Sequence, residues 1–297
     1  MKPEKILARP PRVLSQEQRE FYFENGYLLL EAFVSKEWLE RLWEVSRTFI
    51  ERSRGLTESN SCLALDPAHS AEHPRLRRLI DPTEHHPLYW EYVSQGPLVD
   101  VAEDILGPAF KFHHCKLNFK WSSGGEEIKW HQDIQFYPHT NYSVAAFGLY
   151  MTDVDDEMGP MGVIPGSHRG EIHDQYDDDD QWVGHIGERA LERVDLSKVR
   201  WLTGPAGSVT VHHCRTIHGS LPNMSDRGRP LLLQTYSAAD ALPLTPRSTV
   251  TKHEGRMIRG EPARWVEFDS DACQLPPDRS KHPGVTIFSS QNRERSA

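Results

Sequence analysis

Several features are missing from this chain, and each absence narrows what it is. There are four cysteines, Cys62, Cys115, Cys214 and Cys273, far apart and without a Cys-x-x-Cys pair, so a zinc knuckle or a disulfide framework is excluded and reduced thiols are predicted. No apolar run is long enough for a membrane span, and a mean hydropathy of -0.61 with 37% hydrophobic and 26% charged residues is that of a soluble globular chain. Positive charge is in deficit, with 34 Lys and Arg against 43 Asp and Glu. The net charge of -9 repels phosphate backbones and anionic surfaces, and neither nucleic acid nor membrane is expected as a partner. Met1-Lys2-Pro3-Glu4-Lys5 is not a secretory start and Glu294-Arg295-Ser296-Ala297 is not a targeting tripeptide, so the expected compartment is the cytoplasm. With no internal repeat and no linker, the 297 residues are expected to form one domain.

What is present divides into a helical first part, about residues 15–107, a strand-rich core, about 108–240, and a polar, Pro-rich extension, 241–297. Ser15 with Gln18 three residues on has the form of a capping box, which starts a helix ahead of Phe21 and Tyr22. Ser35 precedes Trp38, Leu39, Leu42, Trp43, Phe49 and Ile50, a stripe on one helical face. Gly26 to Leu30 reads as a buried strand, and a further helix is predicted over Pro87 to Ile105. From Ala109 the texture turns to aromatics, broken at Ser122-Ser123-Gly124-Gly125, and short strands are predicted at Ile128–His131, Val144–Thr152, Met161–Ile164, Ser208–His213 and Leu231–Tyr236. Strands so spaced suggest a mainly β sandwich or closed barrel with flanking helices. The interval from Gly166 to Trp201 is too long for a turn and holds Asp177 to Asp180.

The chemistry concentrates at Trp130-His131-Gln132-Asp133. On an extended backbone residues two apart leave the same face, so His131 and Asp133 can bind one cation together. A second, distant His would complete the set that a mononuclear iron(II) oxygenase uses, two His and one carboxylate on one face of an octahedron. His212, His213 and His218 are the candidates. His218 is the one with supporting residues downstream, Ser220 and, eleven positions on, Arg229. The rigid guanidinium fork and a hydroxyl suit the distal carboxylate of a keto acid.

Trp130-His131-Gln132-Asp133, Gly159-Pro160-Met161 through Val163-Ile164-Pro165-Gly166-Ser167-His168, and His218-Gly219-Ser220 to Arg229 occur in order, after an opening Glu24-Asn25-Gly26-Tyr27. Over about residues 15–240 the chain resembles the phytanoyl-CoA dioxygenase family. The resemblance implies a double-stranded β-helix, the cupin-like jelly roll, behind a helical N-terminal region. It implies iron(II), 2-oxoglutarate and dioxygen as cofactor and cosubstrates. Position by position it implies His131, Asp133 and His218 as metal ligands, Arg229 and Ser220 at the distal carboxylate of 2-oxoglutarate, and Gln132 as a further cosubstrate contact. Asn118 and Arg78 match positions near the iron only approximately. Asp133 stands where halogenating relatives carry a small residue, so hydroxylation of a C–H bond in a small organic molecule, with release of succinate and CO2, is the expected outcome.

No dedicated site for a CoA nucleotide is visible, so the family name does not give the substrate. A cupin-type metal-binding or ligand-sensing module without turnover is the alternative, against which Arg229 and Ser220 speak. Phe136, Tyr137, His139 and Tyr142 are candidates for the pocket wall or for plain core. Asp177 to Asp180 are either a solvated bulge or part of a lid that favours cationic substrates.

Overall fold

The computed structural model describes residues 2–122, 126–246, 251–269, 272–278 and 287–291. The expected turn at 122–125 therefore lies largely outside the described residues, as does much of the C-terminal extension.

Two of the longest helices come where the capping signals are. After α1 (Pro3–Leu7), α2 (Gln16–Asn25) starts with the full capping box, since Gln18 N donates to Ser15 Oγ and Ser15 N donates to Gln18 Oε1. It ends at Gly26, left-handed at φ 79°, whose N–H reaches Tyr22 O. The next strand, β1 (Tyr27–Leu30), begins at once. Ser35 caps α3 (Lys36–Ser53), which buries Leu39, Leu42, Ser46 and Phe49. After β2 (Leu63–Leu65), β3 (Leu76–Ile80) and α4 (Pro82–His85) the chain differs from expectation. In place of one helix over Pro87 to Ile105 there are two, α5 (Pro87–Gln95) and α6 (Leu98–Leu106), because the Gly96-Pro97 pair ends the first and starts the second.

The strands continue as β4 (Phe110–Lys120), β5 (Ile128–His131), β6 (Val144–Tyr150), β7 (Met161–Val163), β8 (Arg200–Leu202), β9 (Val209–His213), β10 (His218–Ser220), β11 (Arg229–Ala238) and β12 (Met257–Arg259), with α7 (Glu188–Leu191) in the long connection and α8 (Ile287–Gln291) near the end. They form two antiparallel sheets among the described residues. The larger runs β1-β9-β6-β11-β4-β3-β2 with β12 also on β4, and the smaller runs β5-β10-β7-β8. This is the double-stranded β-helix.

Alternation along β4 decides which side is which. Cys115, Leu117 and Phe119 join the main apolar core with Leu42 and Phe49 of α3 and Tyr89 and Tyr92 of α5. Lys116, Asn118 and Lys120 therefore face the space between the sheets. Opposite them on β11 stand Leu233, Leu231 and Arg229, in direct register. Helices thus cover one face of the larger sheet, and the other face meets the smaller sheet around a polar interior.

Candidate active site

Backbone pairing assembles the centre. Antiparallel β5 and β10 set His131 directly opposite His218, and their rings lie 4.1 Å apart between centroids. Gln132 stays extended at φ -122°, ψ 128°, so Asp133 returns to the face of His131 at the start of a 3-10 turn. One ligand atom from each of His131, Asp133 and His218 lies within 4.8 Å of the others, and all three residues are buried. His131 Nδ1 donates to Lys129 O at 2.8 Å and His218 Nδ1 to Thr216 O at 2.9 Å. Each imidazole is fixed in the tautomer that leaves Nε2 unprotonated and turned to Asp133, at 3.8 and 4.0 Å from Oδ1.

The protonation states suit a cation. Burial pulls the pKa of His131 down to about 4, and burial with the neighbouring His131 and His212 pulls that of His218 well below the ordinary value. Burial alone would raise Asp133. The hydrogen bond from His212 and the positive field of its surroundings outweigh that and hold its carboxyl well below the usual range. His212 Nε2 donates to Asp133 Oδ2 at 3.2 Å, so this residue, weighed as a possible third ligand, braces the carboxylate instead. His213 turns away, packs on His168 at 5.1 Å and accepts from Arg215 N. Two neutral imidazoles and one fixed carboxylate form a donor set that fits iron(II).

At the far end of the interior two buried cationic side chains and a hydroxyl come together. Arg229 is 5% exposed, and its Nε and Nη1 are buried without a hydrogen-bond partner. Burial lowers its pKa, with Tyr150 opposing. Beside it Lys120 Nζ donates to Ser220 Oγ at 2.7 Å and to Leu221 O. Burial and then the charge of Arg229 push the Lys120 amine well below its ordinary range. Unmet guanidinium donors beside a second amine and a hydroxyl are what a carboxylate satisfies. Sequence reasoning missed Lys120, although strand alternation from Asn118 marks it.

Gln132 is not in this interior. Its side chain leaves the opposite face of the strand, where Nε2 donates to Arg215 O at 2.8 Å and to Glu171 O at 3.1 Å while Oε1 accepts from His173 N. The resemblance placed it at the cosubstrate, whereas here the amide is committed to backbone. Asn118 does face inward, and its Oδ1 accepts from Arg78 Nε at 2.8 Å. Phe136 stands edge-on to His131 at 5.6 Å. Tyr137 stands near the Asp133 carboxylate, and burial, then that carboxylate, push its pKa well up. His139 lies one layer behind, with His113. Tyr142 belongs to a small separate core with Ile134 and Val144.

The connection after Gly166 is stitched to β5. Gln175 Nε2 donates to Gln132 O, and Ile186 N donates to Trp130 O. Its acidic tip turns outward: Asp178 to Asp180 are exposed, and Asp177 Oδ1 accepts from Asp179 N and Gln181 N within the same turn. This is the solvated bulge, and nothing in it faces the interior.

Residues 22–231 match the family model described as phytanoyl-CoA dioxygenase (PhyH). The chain is 32% identical, over 94% of its length and 97% of the relative's, to a probable alpha-ketoglutarate-dependent hypophosphite dioxygenase of Stutzerimonas stutzeri. It is 29% identical to an ectoine dioxygenase of Bordetella parapertussis, over 76% of each chain. Among solved structures, EctD from S. alaskensis with 2-oxoglutarate and 5-hydroxyectoine superimposes with a TM-score of 0.67 at 22% identity, covering 88% of this chain and 91% of that one.

Proposed function

This chain belongs to the phytanoyl-CoA dioxygenase family and is an iron(II)- and 2-oxoglutarate-dependent dioxygenase, and on that premise we propose how its own residues divide the work. His131, Asp133 and His218 hold the metal through Nε2, a carboxylate oxygen and Nε2. Arg229, with Ser220 and Lys120 beside it, holds the distal carboxylate of 2-oxoglutarate. The net reaction is R–H + 2-oxoglutarate + O2 → R–OH + succinate + CO2. Bound iron supplies activation of dioxygen, and the protein supplies orientation. His212 fixes the Asp133 carboxylate, while the carbonyls of Lys129 and Thr216 fix the two imidazoles. Phe136 and Trp182, packed edge to face at 5.4 Å, shield the His131 side from water.

The carrying observation is the pair of imidazoles whose Nδ1 atoms are both committed to backbone, so that both Nε2 atoms meet one carboxylate. The full-length relatives are catalysts, which leaves the non-catalytic module without support. Among the described residues no helix is long and apolar enough to cross a membrane; we propose a cytoplasmic enzyme that acts as one catalytic unit on a small molecule. The test is anaerobic iron(II) titration of purified protein with metal counting, and then 2-oxoglutarate-dependent succinate release. One iron per chain, lost in His218→Ala and kept in His213→Ala, is the expected result. Retention of iron and turnover in His218→Ala overturns the assignment.

A further inference from the structure

The smaller sheet ends at β5, the strand that carries His131, and an end strand leaves backbone N–H and C=O groups in need of partners. At Lys129 a side chain from the last helix meets them. Gln291 of α8 accepts from Lys129 N at 3.0 Å through Oε1, and its Nε2 donates to Lys129 O at 3.5 Å and to Gly184 O at 2.9 Å. Lys129 O is the same carbonyl that accepts from His131 Nδ1 at 2.8 Å. One peptide oxygen, with two lone pairs, thus joins a metal ligand to the amide of Gln291.

Two more contacts hold α8 in this place. Phe288, 7% exposed, lies beneath the guanidinium groups of Arg77 at 5.3 Å and Arg78 at 5.2 Å on β3. Arg78 in turn holds the inward-facing Asn118. Ser290 packs at Gly184, where a Cβ would lie 3.3 Å from Ser290 Cβ and 3.2 Å from Phe136 Cζ, the ring that stands edge-on to His131. The helix therefore spans from the larger sheet to the edge of the smaller one, against the shield of the metal centre. With five residues it is far below the length at which a helix holds by itself, so docking is what orders it. The other two ligands are braced elsewhere, Asp133 by His212 and His218 by Thr216 O.

We propose that α8 is a clamp on the metal centre, in which Gln291 is a positioning residue that acts on His131 through the Lys129 peptide. The proposal rests on the metal site assigned above and extends it by one residue, more than seventy positions beyond the last ligand in the sequence. An ion that fixes the His131 ring fixes the Lys129 carbonyl, and the carbonyl with its amide fixes Gln291 and α8. By the same linkage an undocked α8 leaves His131 free to turn, and the ion is held less tightly.

The experiment uses the full chain in two measurements: anaerobic equilibrium dialysis against iron(II), and hydrogen exchange of the 287–291 amides by mass spectrometry with and without zinc(II). Gln291→Met is expected to weaken iron(II) binding by about tenfold or more with far-UV circular dichroism unchanged. Gln291→Glu has the same size and can still accept from Lys129 N, but it cannot donate to the two carbonyls, and it is expected to weaken binding as much. Zinc(II) is expected to slow exchange in α8 by about fivefold or more in the wild type and to leave it unchanged in Gln291→Glu. Wild-type affinity in either variant overturns the proposal. So does exchange in the wild type that ignores zinc(II), a result that stands even where a variant does not fold. A wild-type protein that binds no iron refutes the metal site and this proposal with it, whereas iron binding that is insensitive to Gln291 refutes this proposal alone.

Discussion

Replacing Arg229 with Met should make the protein more stable and worse at its task. Arg229 is 5% exposed, two of its guanidinium nitrogens have no partner, and the Lys120 amine adds like charge beside it. Replacing buried ionic groups by apolar side chains of similar volume stabilises by up to about 1–4 kcal/mol, and a charge with no partner carries the desolvation cost without the Coulombic return. Taking about 2 kcal/mol, and about 2–4 °C per kcal/mol for a domain near this size, the melting temperature without cosubstrate should rise by roughly 4–8 °C. With 2-oxoglutarate the order changes. At a concentration about 100 times Kd the wild-type protein gains about 2.7 kcal/mol. Losing a charge-assisted anchor costs about 2–5 kcal/mol, so at a hundredfold weaker Kd the variant gains only about 0.4 kcal/mol under the same conditions. Differential scanning calorimetry of metal-loaded protein, with and without 2-oxoglutarate, reads both effects. A variant that melts below the wild type without cosubstrate, or that keeps the full cosubstrate shift, refutes the reasoning.

Further outcomes are expected elsewhere. Burial depresses His139 and His168 to about 4, so both stay neutral in the fold while their unfolded forms take protons below about 6.5. The sign is that stability is complete above pH 6.5 and falls between 6.5 and 4, by about 2 kcal/mol per group at pH 5, which urea unfolding of metal-free protein at pH 7.5 and 5 measures. Equal stability at the two values contradicts it. Gly26→Ala should cost about 3 kcal/mol, since φ is +79° and the new Cβ meets His168 Nδ1 at 2.4 Å and Thr216 Oγ1 at 2.6 Å; a cost under about 1 kcal/mol in chemical denaturation shows that both neighbours yield freely. Changing Asp177 to Asp180 all to Asn should leave the ratio of cationic to neutral substrate turnover the same at low and high salt, and a salt-dependent change in that ratio gives the loop a selecting role.

How much of the molecule is readable from its sequence depends on whether the signal is local. Ser15 and Ser35 start helices through hydrogen bonds to residues three away, and both helices stand where the sequence puts them. The Gly96-Pro97 break is equally local, yet the apolar pattern of its flanks hides it. Strands β2, β8, β10 and β12 span three residues each, too few for any period, and exist because a partner strand is there. The metal cluster is legible since His131 and Asp133 share a face by alternation and His218 precedes an Arg at a telling distance. Resemblance carries Gln132 to the cosubstrate, though the same alternation that unites its neighbours sends it the other way. Lys116 and Lys120 look like ordinary strand cations until the pairing of β4 with β11 shows which face is inside.

Because Gln132 leaves one face of the chain and its two neighbours leave the other, three consecutive residues join the metal cluster to the root of the 166–201 connection. The two sites therefore share one thermodynamic cycle. Whatever free energy an ion contributes by ordering His131 and Asp133 also orders Gln132, and through it the backbone at Glu171 to Gln175. Reciprocity requires that, to the extent ordering at Glu171 to Gln175 is coupled to ion binding through Gln132, loosening those residues weaken the hold on the ion by the same factor. A substitution at Glu171 to Gln175 can thus change metal occupancy without altering a ligand.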